Sequence, residues 1–166
     1  VEAGYNLVST TCTQWIGRDP VTHKLLENTT LWPGGMKSFA TYLHSKGLKL
    51  AVYTDAADKN CCGEPGSYGY EDIDMKTFAE WGVDAVSVDF CGNAQHGQNM
   101  EVRDEYTKYA RAIAKSPNPS MQLVVCNLGL GRAWTWAPQI GAPTFRVTSD
   151  IGNGWYNTEP TMGVIQ

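Results

Sequence analysis

From Leu48 to Asp89 the chain reads LKLAVYTDAADKNCCGEPGSYGYEDIDMKTFAEWGVDAVSVD, and this stretch decides the fold. Leu48 to Tyr53 is an apolar, β-prone run of strand length. A loop rich in Gly, Asp and Cys separates it from a helical stretch of about Tyr70 to Trp81. Gly82 stands where a helix C-terminus wants a residue that tolerates positive φ. A second apolar run, Val83 to Asp89, completes a strand–helix–strand unit. Strands joined through a helix pair in parallel, because the return to the same end of the sheet needs a crossover of that length.

The same order extends in both directions. Upstream, Gly4 to Ser9 is a short extended stretch, and Gly35 to Lys46 places Met36, Phe39, Ala40 and Leu43 on one helical face. Downstream, a Gly-rich loop leads into a helix from Asn99 to Lys115 with Val102, Tyr106, Tyr109 and Ile113 on one face. Ser116-Pro117-Asn118-Pro119 stops it. Leu123 to Cys126 is the next strand, Trp134 to Ile140 a short helix, and Pro143 to Val147 a further strand before a loop at Asp150. Alternation of this kind calls for an α/β protein with a parallel sheet.

Two architectures satisfy that order. A doubly wound sheet announces a glycine-rich phosphate turn after its first strand, and neither G-x-G-x-x-G nor G-x-x-x-x-G-K-[ST] occurs. The (β/α)8 TIM barrel is therefore the expected fold. In a barrel the chemistry sits at the C-terminal ends of the strands. Thr10, Thr11, Thr54, Asp55, Asp89, Asn127 and Asp150 cluster at such ends. A complete barrel needs eight strands and about 250 residues, so five strands are expected to be an incomplete segment of one.

Composition narrows the function. The 166 residues are 42% hydrophobic and 18% charged, with a formal net charge of -4. Arg18, Lys37, Lys46, Lys76, Arg103 and Lys108 are scattered without forming a stripe, so nucleic acid is a poor partner. No run approaches the roughly 20 apolar residues of a membrane span. The five cysteines are an odd number, which leaves at least one free or paired outside the chain in an oxidising compartment. Asn28-Thr29-Thr30 is a glycosylation acceptor of low specificity. Together these lean towards the secretory pathway. His23, His44 and His96 form no constellation. Trp15, Trp32, Trp134 and Trp136 are expected to be packing residues for the most part.

Several motifs then carry a resemblance. Trp32-Pro33-Gly34-Gly35-Met36-Lys37 comes first, followed by Lys46-Gly47-Leu48-Lys49-Leu50 and by Cys61-Cys62-Gly63-Glu64-Pro65-Gly66-Ser67-Tyr68-Gly69-Tyr70-Glu71. Thr77-Phe78-Ala79-Glu80-Trp81-Gly82-Val83-Asp84 then runs into Val88-Asp89-Phe90-Cys91. Long, in order and correctly spaced, they resemble glycoside hydrolase family 27, the α-galactosidases and α-N-acetylgalactosaminidases. The resemblance runs from about Gly4 to Ile151.

That resemblance implies Asp89 as nucleophile and Asp150 as acid/base. It marks Arg146 as a substrate contact and, with the polar strand ends, Tyr53, Asp55, Asn127, Thr10 and Thr11 as substrate-binding positions. Cys61 and Cys91 match a disulfide, and Cys12 matches a cysteine whose partner lies before this chain begins. No cofactor and no metal are implied. Residues 1–166 are expected to be part of a single catalytic barrel. Its first strand, its remaining strands and a C-terminal β-sandwich would lie outside the chain, and a homo-oligomer or larger assembly stays open. The implied localisation is secreted or lysosomal.

A retaining glycosidase places two carboxyl groups about 5–5.5 Å apart, one attacking the anomeric carbon and the other protonating the leaving oxygen. The pattern is broken in the substrate clamp. Thr10-Thr11 stands where the family usually carries two aspartates, Ser87 replaces a lysine, and Asn127 sits where animal members have a glutamate. Each charge-assisted hydrogen bond lost is worth roughly 1.5–3 kcal/mol. Two readings follow: a retaining hydrolase for an α-linked galactoside or related sugar, or an altered relative that binds or builds without turnover.

Overall fold

The computed structural model describes residues 3–91 and 101–150. His96, the loop around it and the first residues expected of the helix at Asn99 lie outside them. Seven strands and four α-helices follow one another among the described residues. They are β1 (Leu7–Ser9), β2 (Trp15–Arg18), β3 (Leu25–Glu27), α1 (Gly35–Ser45), β4 (Lys49–Asp55), α2 (Glu71–Trp81), β5 (Ala85–Asp89), α3 (Val102–Lys115), β6 (Gln122–Cys126), α4 (Ala133–Trp136) and β7 (Thr144–Phe145). A 3₁₀ turn, Ala137–Ile140, extends α4.

Five strands form one parallel sheet in the order β1-β4-β5-β6-β7. Each sits beside the previous one after a helical crossover, as in one side of a (β/α) barrel. The expected α/β barrel segment is what the chain forms. Register sets the two faces of this sheet. Leu50, Val52, Val86, Val88, Leu123 and Val125 point to the helices and are buried with Met36, Ala40, Phe78, Tyr106, Tyr109 and Ile113. The alternate residues, among them Tyr53, Asp55, Ser87, Asp89, Cys126 and Arg146, lie on the opposite, lumen-facing side, because side chains alternate along a strand.

Periodicity located the helices well, and α2 ends as its sequence suggested, with Gly82 left-handed at φ 82° and its N–H on the Ala79 carbonyl. The last strand is shorter than the expected Pro143 to Val147, two residues only. The antiparallel hairpin of β2 and β3 was not anticipated. Its strands are too short to show a period, and tertiary contact holds them. Trp15 is buried and stacks on Phe78 and Trp81 of α2, while Arg18 reaches Asp74 of the same helix. Trp136 is also core and Trp32 packs against it in part, whereas Trp134 is exposed.

The loop from β4 to α2 doubles back on itself, so that Gly66 lies flat against the backbone of Ala57. A Cβ at Gly66 would collide with the Ala57 carbonyl oxygen. Backbone on both sides leaves nothing soft to move. Gly66→Ala is expected to lower stability by about 2–4 kcal/mol, seen as a lower urea midpoint. An unchanged midpoint would show that the loop opens freely.

Candidate active site

The C-terminal ends of β4, β5 and β6 bring Asp55, Asp89 and Cys126 into one register row. Arg146 joins that row from β7, its backbone N–H donating to the Val125 carbonyl at 2.9 Å. One residue pair below sit Tyr53 and Ser87 on the same face.

Asp89 is only 9% exposed, yet both its oxygens are served. The Tyr53 hydroxyl donates to Oδ2 at 2.9 Å, and the Phe90 N–H donates to Oδ1 at 2.8 Å. Burial, and next the bond to Asp89, push the Tyr53 hydroxyl far above the ordinary phenol range. Tyr53 therefore stays a donor throughout the working pH range, which holds the Asp89 carboxylate in one orientation. Beside it Asp55 is fully buried and accepts the Cys91 N–H at 3.1 Å.

Arg146 joins the two ends of the row. Its Nη2 is 2.9 Å from Asp150 Oδ1, and its Nη1 is 3.8 Å from Cys126 Sγ. Cys126 is the register partner of Asp89. Burial, and then the negative charge of Asp89, raise the Cys126 thiol, so it is neutral. Asp150 is 86% exposed, in contrast to Asp89. One acid is thus sheltered and oriented, the other open to an arriving ligand and paired with a guanidinium.

The Cys61–Cys91 disulfide is present, with Cα atoms 5.6 Å apart. It caps the row by tying the loop after β4 to the end of β5. The expectation for Cys12 is corrected: it pairs with Cys62 inside the chain, and Cys126 is the free cysteine among the described residues. The Cys12–Cys62 bridge binds the loop after β1 to the loop after β4. Adjacent Cys61 and Cys62 thereby anchor two different neighbours. Sequence spacing could not show this, because the partners meet only once β1 and β4 lie side by side.

Two of the residues expected to contact substrate have their polar atoms engaged by their surroundings. The Thr10 hydroxyl is buried, 2.6 Å from Gln14 Oε1 and 3.2 Å from the Ala51 carbonyl oxygen. Asn127 is fully buried and closes its own turn, donating to the Leu130 carbonyl at 3.0 Å and accepting the Gly129 N–H at 3.2 Å. The Thr10 hydroxyl is thus taken up by the Gln14 side chain and the Ala51 carbonyl, and the Asn127 amide by backbone. Thr11 is exposed, and its carbonyl accepts the side-chain amide of Gln14. Gln14, missed in the sequence, is the buried hub of this loop. Among the other expected residues, Asn28 lies at the surface edge with Nδ2 donating to the Thr13 carbonyl at 3.1 Å. His44 pairs with Asp84 at the opposite end of the sheet, and His23 lies against Tyr70.

A family model described as Alpha galactosidase A matches residues 1–159. The α-galactosidase A of Cellvibrio japonicus is 39% identical over 132 residues, covering 80% of this chain and 31% of its own length. The α-galactosidase of Cyamopsis tetragonoloba is 39% identical over 79% of this chain and 31% of its own. The structure of an α-galactosidase from Saccharomyces cerevisiae superposes with a TM-score of 0.83 at 28% identity, over 90% of this chain and 32% of that one. The chain therefore spans about a third of the length of the curated relatives it matches. With the half-barrel, the buried Asp89 and the matched motifs in agreement, the chain belongs to the α-galactosidase family, glycoside hydrolase family 27.

Proposed function

We propose that this chain supplies the nucleophile and the acid/base of a retaining glycoside hydrolase that removes a terminal α-linked galactose or a related sugar. The observation that carries this is the Arg146 guanidinium, set between the exposed Asp150 carboxylate and the row in which Asp89 is buried and doubly hydrogen-bonded. The names of the relatives point to the same chemistry.

In the first half of the reaction an Asp89 oxygen bonds to the anomeric carbon as the bond from that carbon to the leaving oxygen breaks. Asp150 gives its proton to that oxygen. In the second half Asp150 takes a proton from water, whose oxygen displaces Asp89 from the sugar. Tyr53 and the Phe90 amide hold the carboxylate for attack. Their donors cost no reorganisation at the moment of reaction. Arg146 supplies positive charge beside Asp150.

Nuclear magnetic resonance of the first sugar released from an aryl α-galactoside by the full-length protein tests the mechanism. The α-anomer is expected first. Initial release of the β-anomer would overturn the retaining assignment. Tyr53→Phe removes one donor to a charged carboxylate, a bond worth about 1.5–3 kcal/mol. It is expected to lower kcat by about 10- to 100-fold, with unfolding unchanged in midpoint. A kcat within twofold of the parent would remove Tyr53 from the site.

The committed hydroxyl of Thr10 and the neutral Ser87 favour a second reading, a relative that holds carbohydrate without turnover. The same assay separates the two. The remaining strands of the barrel and a C-terminal β-sandwich are proposed to complete the protein. Two disulfides support a secretory-pathway location. A glycan at Asn28 would show as a mass lost on treatment with an N-glycosidase.

A further inference from the structure

The Cys61–Cys91 bridge lies between two buried carboxylates. Cys91 Sγ is 2.8 Å from Asp55 Oδ2, and Cys61 Sγ is 3.5 Å from Asp89 Oδ2. One ligand atom from each of Asp55, Cys61, Asp89 and Cys91 falls within 4.8 Å of all the others. A tetrahedral zinc ion, with bonds of about 2.0–2.3 Å to oxygen and sulfur, needs its ligand atoms about 3.3–3.8 Å apart. The Cys61–Asp89 spacing already lies in that range, and the Cys91–Asp55 spacing is shorter than it. The two sulfurs are closest of all, because they are bonded to one another, and reduction frees both to withdraw.

We propose that the Cys61–Cys91 disulfide occupies a thiolate–carboxylate metal site. Reducing it opens that site to a borderline or soft divalent cation, Zn²⁺ or Cd²⁺, with Asp89 among the ligands. The step balances with a dithiol as reductant. The protein sulfur–sulfur bond breaks, one forms in the reductant, and two protons pass to Cys61 and Cys91. The cation then displaces both thiol protons to solvent and takes two thiolates and two carboxylates.

The surroundings suit such a site. Cα atoms 5.6 Å apart let two cysteines turn their sulfurs apart without moving backbone. The carboxylates come from register partners on β4 and β5, neighbouring interior strands of the sheet. Each already has an outer partner that fixes it: Tyr53 O–H on Asp89 and Cys91 N–H on Asp55. Hydrogen bonds of this kind orient ligands in metal sites. In the oxidised protein the sulfurs have no thiolate to offer. The bridge then keeps metal off Asp89, and its loss would sequester the carboxylate.

The test uses the full-length protein and cadmium, followed by the ultraviolet charge-transfer band of cadmium thiolate. Binding is read without any enzymatic assay, so it stands or fails separately from the proposed hydrolase function. After dithiol reduction and removal of the reductant under inert gas, a saturable band of two thiolates per ion is expected. The oxidised protein should show none. Asp55→Asn and Asp89→Asn are each expected to weaken binding by at least about tenfold. A Cys12→Ser/Cys62→Ser protein, which keeps Cys61–Cys91 and loses the other bridge of this chain, should keep the band.

A band in the oxidised protein would assign the metal to Cys126 and overturn the proposal. So would four thiolates per ion, or affinity indifferent to both aspartate variants. Loss of the near-ultraviolet circular dichroism on reduction, before metal is added, would do the same, because the site requires the folded sheet.

Discussion

Replacing Asp89 with Asn in the full-length protein is expected to lower kcat against an aryl α-galactoside by about four orders of magnitude or more. The amide is close in size: its oxygen still accepts the Phe90 N–H, and its NH2 takes the place of Oδ2 and donates to the Tyr53 oxygen, so the fold has no reason to change. What is lost is the oxygen proposed to form the glycosyl ester. Chemical rescue sharpens the test. In Asp89→Gly, azide entering the vacated space should attack the anomeric carbon directly and give the inverted glycosyl azide. In Asp150→Gly the ester still forms, and azide should give the retained product. Wild-type turnover in Asp89→Asn, or the same anomer from both glycine variants, would refute the assigned roles.

The largest expected change in stability lies away from the chemistry. Asp74 of α2 is 0% exposed, Arg18 of the hairpin is 13% exposed, and the pair meets at 2.5 Å. A second contact, Nη1 to Oδ1 at 2.8 Å, makes it bidentate, and Arg18 also donates to the Gly66 carbonyl. Arg18→Ala leaves a buried carboxylate without its cation, which costs about 3–5 kcal/mol. That would unhook the hairpin, and with it the loop carrying Cys12 and Gln14.

Protonation gives this loss a pH signature. Burial raises the Asp74 carboxyl above its ordinary value, and the bonds from Arg18 pull it back only in part. A carboxyl raised in the folded state binds its proton more readily folded than unfolded. Its contribution to stability is therefore greatest at acid pH and falls as pH climbs through the raised value. Without Arg18 the carboxyl rises further. The gap between Arg18→Ala and the parent should be widest at neutral pH and narrow on acidification, as Asp74 takes a proton and becomes neutral. Urea midpoints of both proteins at pH 7.5 and pH 5 measure it, at about the pH values where buried carboxyls change state. A gap independent of pH would mean that Asp74 is solvated or paired elsewhere.

The candidate site divides in the same way between what a linear reading supplies and what it misses. Asp89 is legible because it ends a strand whose apolar alternation is plain and sits inside a long family motif. Arg146 is legible for the same reason, but its pairing with Asp150 is a fact of the turn. Thr10 and Asn127 read as ligand contacts because they are polar at strand ends. The structure engages the Thr10 hydroxyl with Gln14 and the Ala51 carbonyl and the Asn127 amide with its own turn, since buried polar groups must find partners nearby. Ser87 is legible as a departure in the clamp and shares the lumen face with Asp89 by the alternation of β5 itself. Cys126 drew no notice as a site residue, because it joins Asp89 only through the register of β5 and β6.

The sequence by itself determined the α/β order, the parallel sheet and the helix faces, and it marked Asp89 and Asp150 as the two acids proposed for the site. These depend on periodicity and on motifs contiguous in the chain, where neighbours in sequence are neighbours in space. Tertiary structure alone decided the hairpin over α2, the Cys12–Cys62 pairing, the Arg18–Asp74 pair and the lining of the lumen. Each joins residues far apart in the chain. Such contacts form only when crossovers bring distant strand ends to one rim and burial makes their polar groups find partners there.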